Sequence, residues 1–90
     1  DPDDPTVNEA SINRAGYRLL GKSKTALALD VFKINTILYP NSANVFDSYA
    51  EAYMKLGDTA LAIENYEKSL SLDPENRNAQ YYIDELKKSK

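Results

Sequence analysis

The 90-residue chain has no cysteine, no histidine and no tryptophan, and only one methionine and three glycines. Without cysteine there is no disulfide framework and no thiolate, and without histidine the commonest general base and transition-metal ligand is missing too. No nucleophile–base pair or metal set can be assembled from the remaining residue types, so no catalytic residue, metal site or cofactor is expected. Long apolar runs are also lacking, which removes a membrane span and a signal core as readings. The absence of cysteine suits cytoplasm and periplasm equally, so it does not choose a compartment. Ninety residues are enough for one domain with a modest core and leave no room for a second.

An excess of one charge is confined to the first residues. The formal charge of −3 equals the contribution of Asp1, Asp3 and Asp4, and from residue 6 onward 11 acidic groups face 11 basic ones. No basic stripe exists for a phosphate backbone, so nucleic acid is not an expected partner. The closing "KKSK" reads as a solvated helix end. The opening "DPDDP", residues 1–5, reads as an acidic, proline-stiffened linker belonging to a longer chain. Its aspartates lack the turn glycine and later bidentate glutamate of a calcium loop.

One stretch matches a nucleotide-binding pattern: "GYRLLGKS", Gly16 to Ser23, fits G-x-x-x-x-G-K-[ST]. A phosphate loop needs a buried strand before it and small residues that let successive amides point inward. Here "EASINRA" precedes it and bulky helix formers fill its centre, so nucleotide binding is not expected. Gly21 reads instead as the break after a first helix, and Ser23 as the N-cap of a second.

The chain repeats itself. Pro40 and Pro74 lie 34 residues apart, and at that offset "TALALDVFKINTILYP" (25–40) aligns with "TALAIENYEKSLSLDP" (59–74). Leu27 meets Leu61, Ala28 meets Ala62, Phe32 meets Tyr66 and Leu38 meets Leu72. Such a period, with small, bulky and proline positions at fixed offsets, marks a helix-turn-helix solenoid.

Five helices follow from the local signals, and no strand does. Thr6 to Glu9 has the spacing of a capping box and opens a helix running to about Leu20. The second occupies the stretch before Pro40. In "NVFDSYAEAYMKLGD", Val45, Phe46, Tyr49, Ala50, Tyr53, Met54 and Leu56 recur at three and four. Gly57 then supplies a left-handed C-cap and Asp58 an N-cap, and the fourth helix runs from Thr59 to Leu72. Asp73-Pro74 ends it, because the residue before proline is pushed out of the helical region. Arg77 to Lys87 forms the last, burying Ala79, Tyr82, Ile83 and Leu86. Gly16, Ala50, Ala28 and Ala62 are small where paired helices cross. Asp84 takes the place of Gly16 and Ala50 in the last helix, which marks that helix as a solvated cap. Tyr49, Tyr53 and Tyr66 are expected in the core and interhelix packing with the hydroxyl reaching the edge, and Asn35 is expected to bond a neighbouring turn.

With Phe46, Tyr53, Gly57-Asp58, Ala62, Tyr66, Ser69 and Pro74 in register, the chain resembles the tetratricopeptide repeat (TPR) family. A looser copy carries Ile12, Gly16, Leu19, Ala28, Phe32 and Pro40, with Asn35 at a position usually small. The resemblance implies an all-α domain over residues 6–90: repeats at 9–42 and 43–76 and a capping helix at 77–88, in a short right-handed solenoid. The wording "GYRLL", "FKINTILYPNSANVFDSYAEAY" and "ENYEKSL" also resembles TPR tails that follow catalytic domains in bacterial serine hydrolases, both β-lactamase-like and α/β esterases.

In stacked helix pairs the first helix of each pair lines the concave side, the usual docking surface of such arrays. Periodicity places Asn13, Tyr17 and Leu20 there from the first helix, Asn44, Asp47, Glu51 and Lys55 from the third, and Tyr81 and Glu85 from the last. Members of the family that clamp a C-terminal carboxylate do so with lysine, arginine and asparagine. Asp47 and Glu51 in the middle of this face imply no such clamp and a preference for basic or amide-rich segments. The expected function is therefore non-catalytic binding of another protein or peptide. The alternatives are a structural tail packed on a hydrolase domain of the same parent chain, or weak homodimerisation through the exposed end helices.

Overall fold

The computed structural model describes residues 8–88. The expected linker at 1–5 and both Thr6 and Val7 lie outside them. Five helices follow one another: α1 (Glu9–Gly21), α2 (Thr25–Leu38), α3 (Ala43–Leu56), α4 (Thr59–Leu72) and α5 (Arg77–Lys88). Among the described residues there is no strand. The helices stack into a slab of 44 × 29 × 17 Å. α1 packs on α2, α3 on α4, α2 on α3 and α4 on α5, and α1 also touches α3.

Two turns separate paired helices, and they are the same turn made from different residues. After α3, Gly57 takes φ +92°, its N–H bonds back to the Tyr53 carbonyl at 3.0 Å, and Asp58 accepts from Leu61 N at 3.1 Å. Thirty-four residues earlier stands Ser23, which adopts φ +62°, and the next N–H, from Lys24, donates to the Leu19 carbonyl at 2.9 Å. This corrects the expected roles of Gly21 and Ser23. Gly21 is the last residue of α1, Ser23 is the left-handed residue, and the N-cap is Lys24, with no side-chain bond. The position within the repeat, set by packing of the helices on either side, fixes where the chain turns. The start of α1 is a second correction. Asn8 is its cap, accepting from Ser11 N while its own N–H donates to Ser11 Oγ, both at 2.9 Å. The reciprocal capping is as expected in kind but sits two residues later than the Thr6–Glu9 spacing suggests.

Small residues let the helices approach closely. Ala28, Ala50, Ala52 and Ala62 are completely buried. A Cβ on Gly16 would collide with the Phe32 ring, so α1 lies directly on that ring only because the position is glycine. One core cluster joins Ala28, Phe32 and Ala52 with Leu19, Leu20, Leu29 and Tyr49. The other joins Ala50, Tyr66, Ala79 and Ile83 with Ile63, Leu70, Tyr82 and Leu86. Leu56 is exposed and Ala52 takes a core place instead, because alanine fits the tight α2–α3 approach. Asp84 is exposed and accepts from Gln80 Nε2 at 2.9 Å.

A pair of equivalent polar ties fixes each second helix to the start of its first. Asn35 Nδ2 donates to the Glu9 carbonyl at 3.1 Å, and Ser69 Oγ donates to the Ala43 carbonyl at 2.8 Å. Both side chains are fully buried. Each adds a second bond to a carbonyl on a first turn, and the shorter serine does so without leaving an atom over. Asn35 Oδ1 has no hydrogen-bond partner.

Candidate functional site

The face on which α1 meets α3 directly carries a polar network in two parts, one around Tyr17 and one around Asp47. Tyr17 and Glu51 are equivalent positions one repeat apart, so a tyrosine on one helix stands beside a carboxylate on the next. The Tyr17 hydroxyl donates to Glu51 Oε1 at 2.9 Å and lies 3.2 Å from Ser48 Oγ. Ser48 in turn donates to Asn13 Oδ1 at 2.6 Å. Farther along α3, Asp47 accepts from Asn76 Nδ2 at 3.0 Å and from Asn78 Nδ2 at 3.2 Å. These bonds tie α1 to α3, and α3 to the entrance of α5, across one surface.

Beneath the network lies an aromatic layer that holds it in place. The Tyr17 ring meets Phe32 edge-on with centroids 5.1 Å apart, and Tyr66 stacks on Tyr82 at 5.4 Å. Burial pushes the Tyr17 hydroxyl up to about 12; its contact with Ser48 opposes the shift and the Glu51 carboxylate adds to it. Tyr66 is raised as well, first by burial and then by the negative field of Asp47 and Glu51. Its hydroxyl, expected to reach the edge, is instead buried in the closed packing and has no hydrogen-bond partner. Tyrosine hydroxyls and carboxylates thus make this region a reservoir of acceptors with a negative potential, suited to cations and to N–H donors.

Asn13, Tyr17, Asp47 and Glu51 are brought together. Leu20 packs instead against the core cluster of Ala28, Phe32 and Ala52. Asn44 and Lys55 are exposed at the first and last turns of α3, and Tyr81 is exposed on α5, where its ring meets Tyr82 edge-on. Glu85, half-buried, accepts from Lys88 Nζ at 3.1 Å. Ser48, Asn76 and Asn78 belong to the network and were not anticipated. Serine at 48 carries no periodic signal, and the two asparagines lie at the start of α5, where only the three-dimensional return of the chain brings them to Asp47. Two open hollows, of about 350 and 420 Å³, lie off this face: one around the α2–α3 loop and one between α4 and α5.

The stretch that fits the phosphate-loop pattern is helical from Gly16 to Gly21. Its amides are turned into the helix, and Gly16 is pressed against Phe32. Among the described residues no three acidic side chains gather as a metal site, and no helix is long and apolar enough to cross a membrane.

Two hairpins related by 34 residues, with matching left-handed turns and matching ties, define the repeat; its second copy, residues 43–76, matches the family model of the Tetratricopeptide repeat. A search of curated proteins finds no match to the chain. Such repeats generally mediate protein–protein interaction, and the polar network joins the matched residues 43–76 to α1 before them and to Asn78 of α5 after them.

Proposed function

We propose that the chain is a non-catalytic protein-binding module whose α1–α3–α5 face is concave and takes a basic or amide-rich segment of another protein. The observation that carries this reading is the Tyr17–Glu51 bond beside the Asn-held Asp47 carboxylate. These groups are ordered before any partner arrives, so binding costs little side-chain entropy. Two carboxylates at the centre disfavour an acidic C-terminus and favour lysine, arginine or amide donors. Only three helices line the face, so the expected affinity is in the micromolar range or weaker. A catalytic domain of the same parent chain is one candidate for the partner, supported by the likeness to the tails of bacterial serine hydrolases.

Titration calorimetry with a lysine- and asparagine-containing peptide and an acidic-tailed one tests this. The basic peptide is expected to bind, more weakly as salt rises. Glu51→Gln should lower its affinity about tenfold, in line with loss of a charge-assisted bond, while the melting temperature stays within a few degrees. Tyr17→Phe keeps the edge contact with Phe32 and removes only the hydroxyl. Tight binding of the acidic peptide would sink the proposal.

A further inference from the structure

The repeat offset turns the α1–α3–α5 face into a grid. Asn13, Asp47 and Tyr81 stand 34 residues apart, and so do Tyr17, Glu51 and Glu85. The Tyr17–Glu51 bond fixes the grid on the side of α1. On the other side, Tyr81 lies one turn beyond Asn78, which bonds Asp47, so both project from the same side of α5. Each neighbouring helix therefore sets a tyrosine beside the pair Asp47 and Glu51. Tyr81 is 58% exposed, and its ring is propped edge-on against Tyr82, which stacks on Tyr66.

Two carboxylates one turn apart make only a solvated face by themselves. Tyr66 singles this place out. The charges that act on its hydroxyl are those of Asp47, Glu51, Tyr82 and Tyr17, which puts the hydroxyl beneath the centre of the grid, where it is buried and unpartnered. A buried hydroxyl without a bond costs stability. Packing does not require it, because the equivalent residue of the first hairpin is Phe32, which is just as completely buried. The Tyr66 oxygen therefore serves something other than the fold of its own chain.

We propose that the centre of this face takes an arginine of the partner, whose guanidinium enters between Asp47 and Glu51, donates to both carboxylates and to the Tyr66 oxygen, and stacks on the Tyr81 ring. The inference rests on the reading of this face as a binding surface and names the side chain that anchors there. Arginine has five N–H donors in a rigid plane, enough to serve three acceptors at once. Its flat, weakly hydrated group also lies well on an aromatic ring. Lysine brings the same charge as a strongly hydrated point, with no plane to stack.

Amide chemical shifts of the 90-residue chain, followed by NMR during titration, test this with the acetylated and amidated peptide Gly-Asn-Arg-Asn-Gly and with versions carrying lysine or citrulline in place of arginine. The arginine peptide should shift the amides around Asp47 and Glu51 on α3 and around Tyr81 on α5. Lysine should bind about fivefold more weakly, and citrulline, which keeps the shape and loses the charge, should not bind measurably. Tyr66→Phe should hold or raise the melting temperature while lowering the affinity for the arginine peptide several-fold. Tyr81→Ala should narrow the gap between arginine and lysine. Equal affinity for the arginine and lysine peptides would overturn the inference and leave the binding reading standing, whereas no binding of either would overturn both. A stable Tyr66→Phe chain with undiminished affinity for arginine would also overturn it, by assigning the hydroxyl to a resident water.

Discussion

Gly16 shows how one residue sets the separation of two helices. It is pressed on the Phe32 ring with no space for a methyl group, and Phe32 is itself fully buried. Gly16→Ala should destabilise the chain by about 1–3 kcal/mol, the usual cost of overpacking, although alanine is the better helix former. Urea denaturation measures the loss, and Phe32→Leu in the same chain should recover part of it by withdrawing the ring. Gly16 was readable in advance as a small crossing residue because its partner at position 50 is alanine. Asn35 was readable as a bond to a turn, and it does tie the first turn of α1. Its unpartnered Oδ1 was not, because satisfaction of a buried atom depends on the whole surrounding packing.

At the scale of elements, the two turns invite a direct exchange. Ser23 holds a left-handed backbone that glycine adopts freely, and Lys24 caps α2 without a side-chain bond, whereas Gly57 and Asp58 do both jobs well. The double change Ser23→Gly and Lys24→Asp rebuilds the first turn on the pattern of the second. It should stabilise the chain by about 1–2 kcal/mol, from relief of the left-handed strain and a new cap. A rise of several degrees in melting temperature checks it. Element number and order were legible in the sequence, since apolar periodicity and the 34-residue offset agree. The first turn was misjudged because Gly21 is the obvious local breaker, while comparison of Ser23 with Gly57 at the repeat offset points to the right residue. On the candidate face, Asn13, Tyr17, Asp47 and Glu51 were legible from helical phase alone. Leu20 is drawn into the core by neighbours on α2 and α3, and Asn76 and Asn78 reach Asp47 through the fold of the loop, which phase cannot reveal.

For the molecule as a whole, tyrosines set the alkaline limit of stability. Burial raises Tyr17 from 10.0 to about 12, and it shifts Tyr49 and Tyr66 in the same direction. Unfolded tyrosines ionise near pH 10. Above that pH the unfolded chain releases protons that the folded one keeps, so stability is whole below about pH 10 and falls as pH climbs toward about 12. Denaturation midpoints should be flat from neutral pH to about 9.5 and then drop, and Tyr17→Phe should soften the drop. The arrangement of interfaces has a further result. Among the described residues every extensive one joins helices that are neighbours or next neighbours along the chain, so none of them waits for the first and last helices to meet. Such local topology folds quickly. A nascent chain leaving the ribosome can close α1 on α2, lay α3 against them and add each later helix as it emerges, with the unfinished end the only part still exposed at any moment.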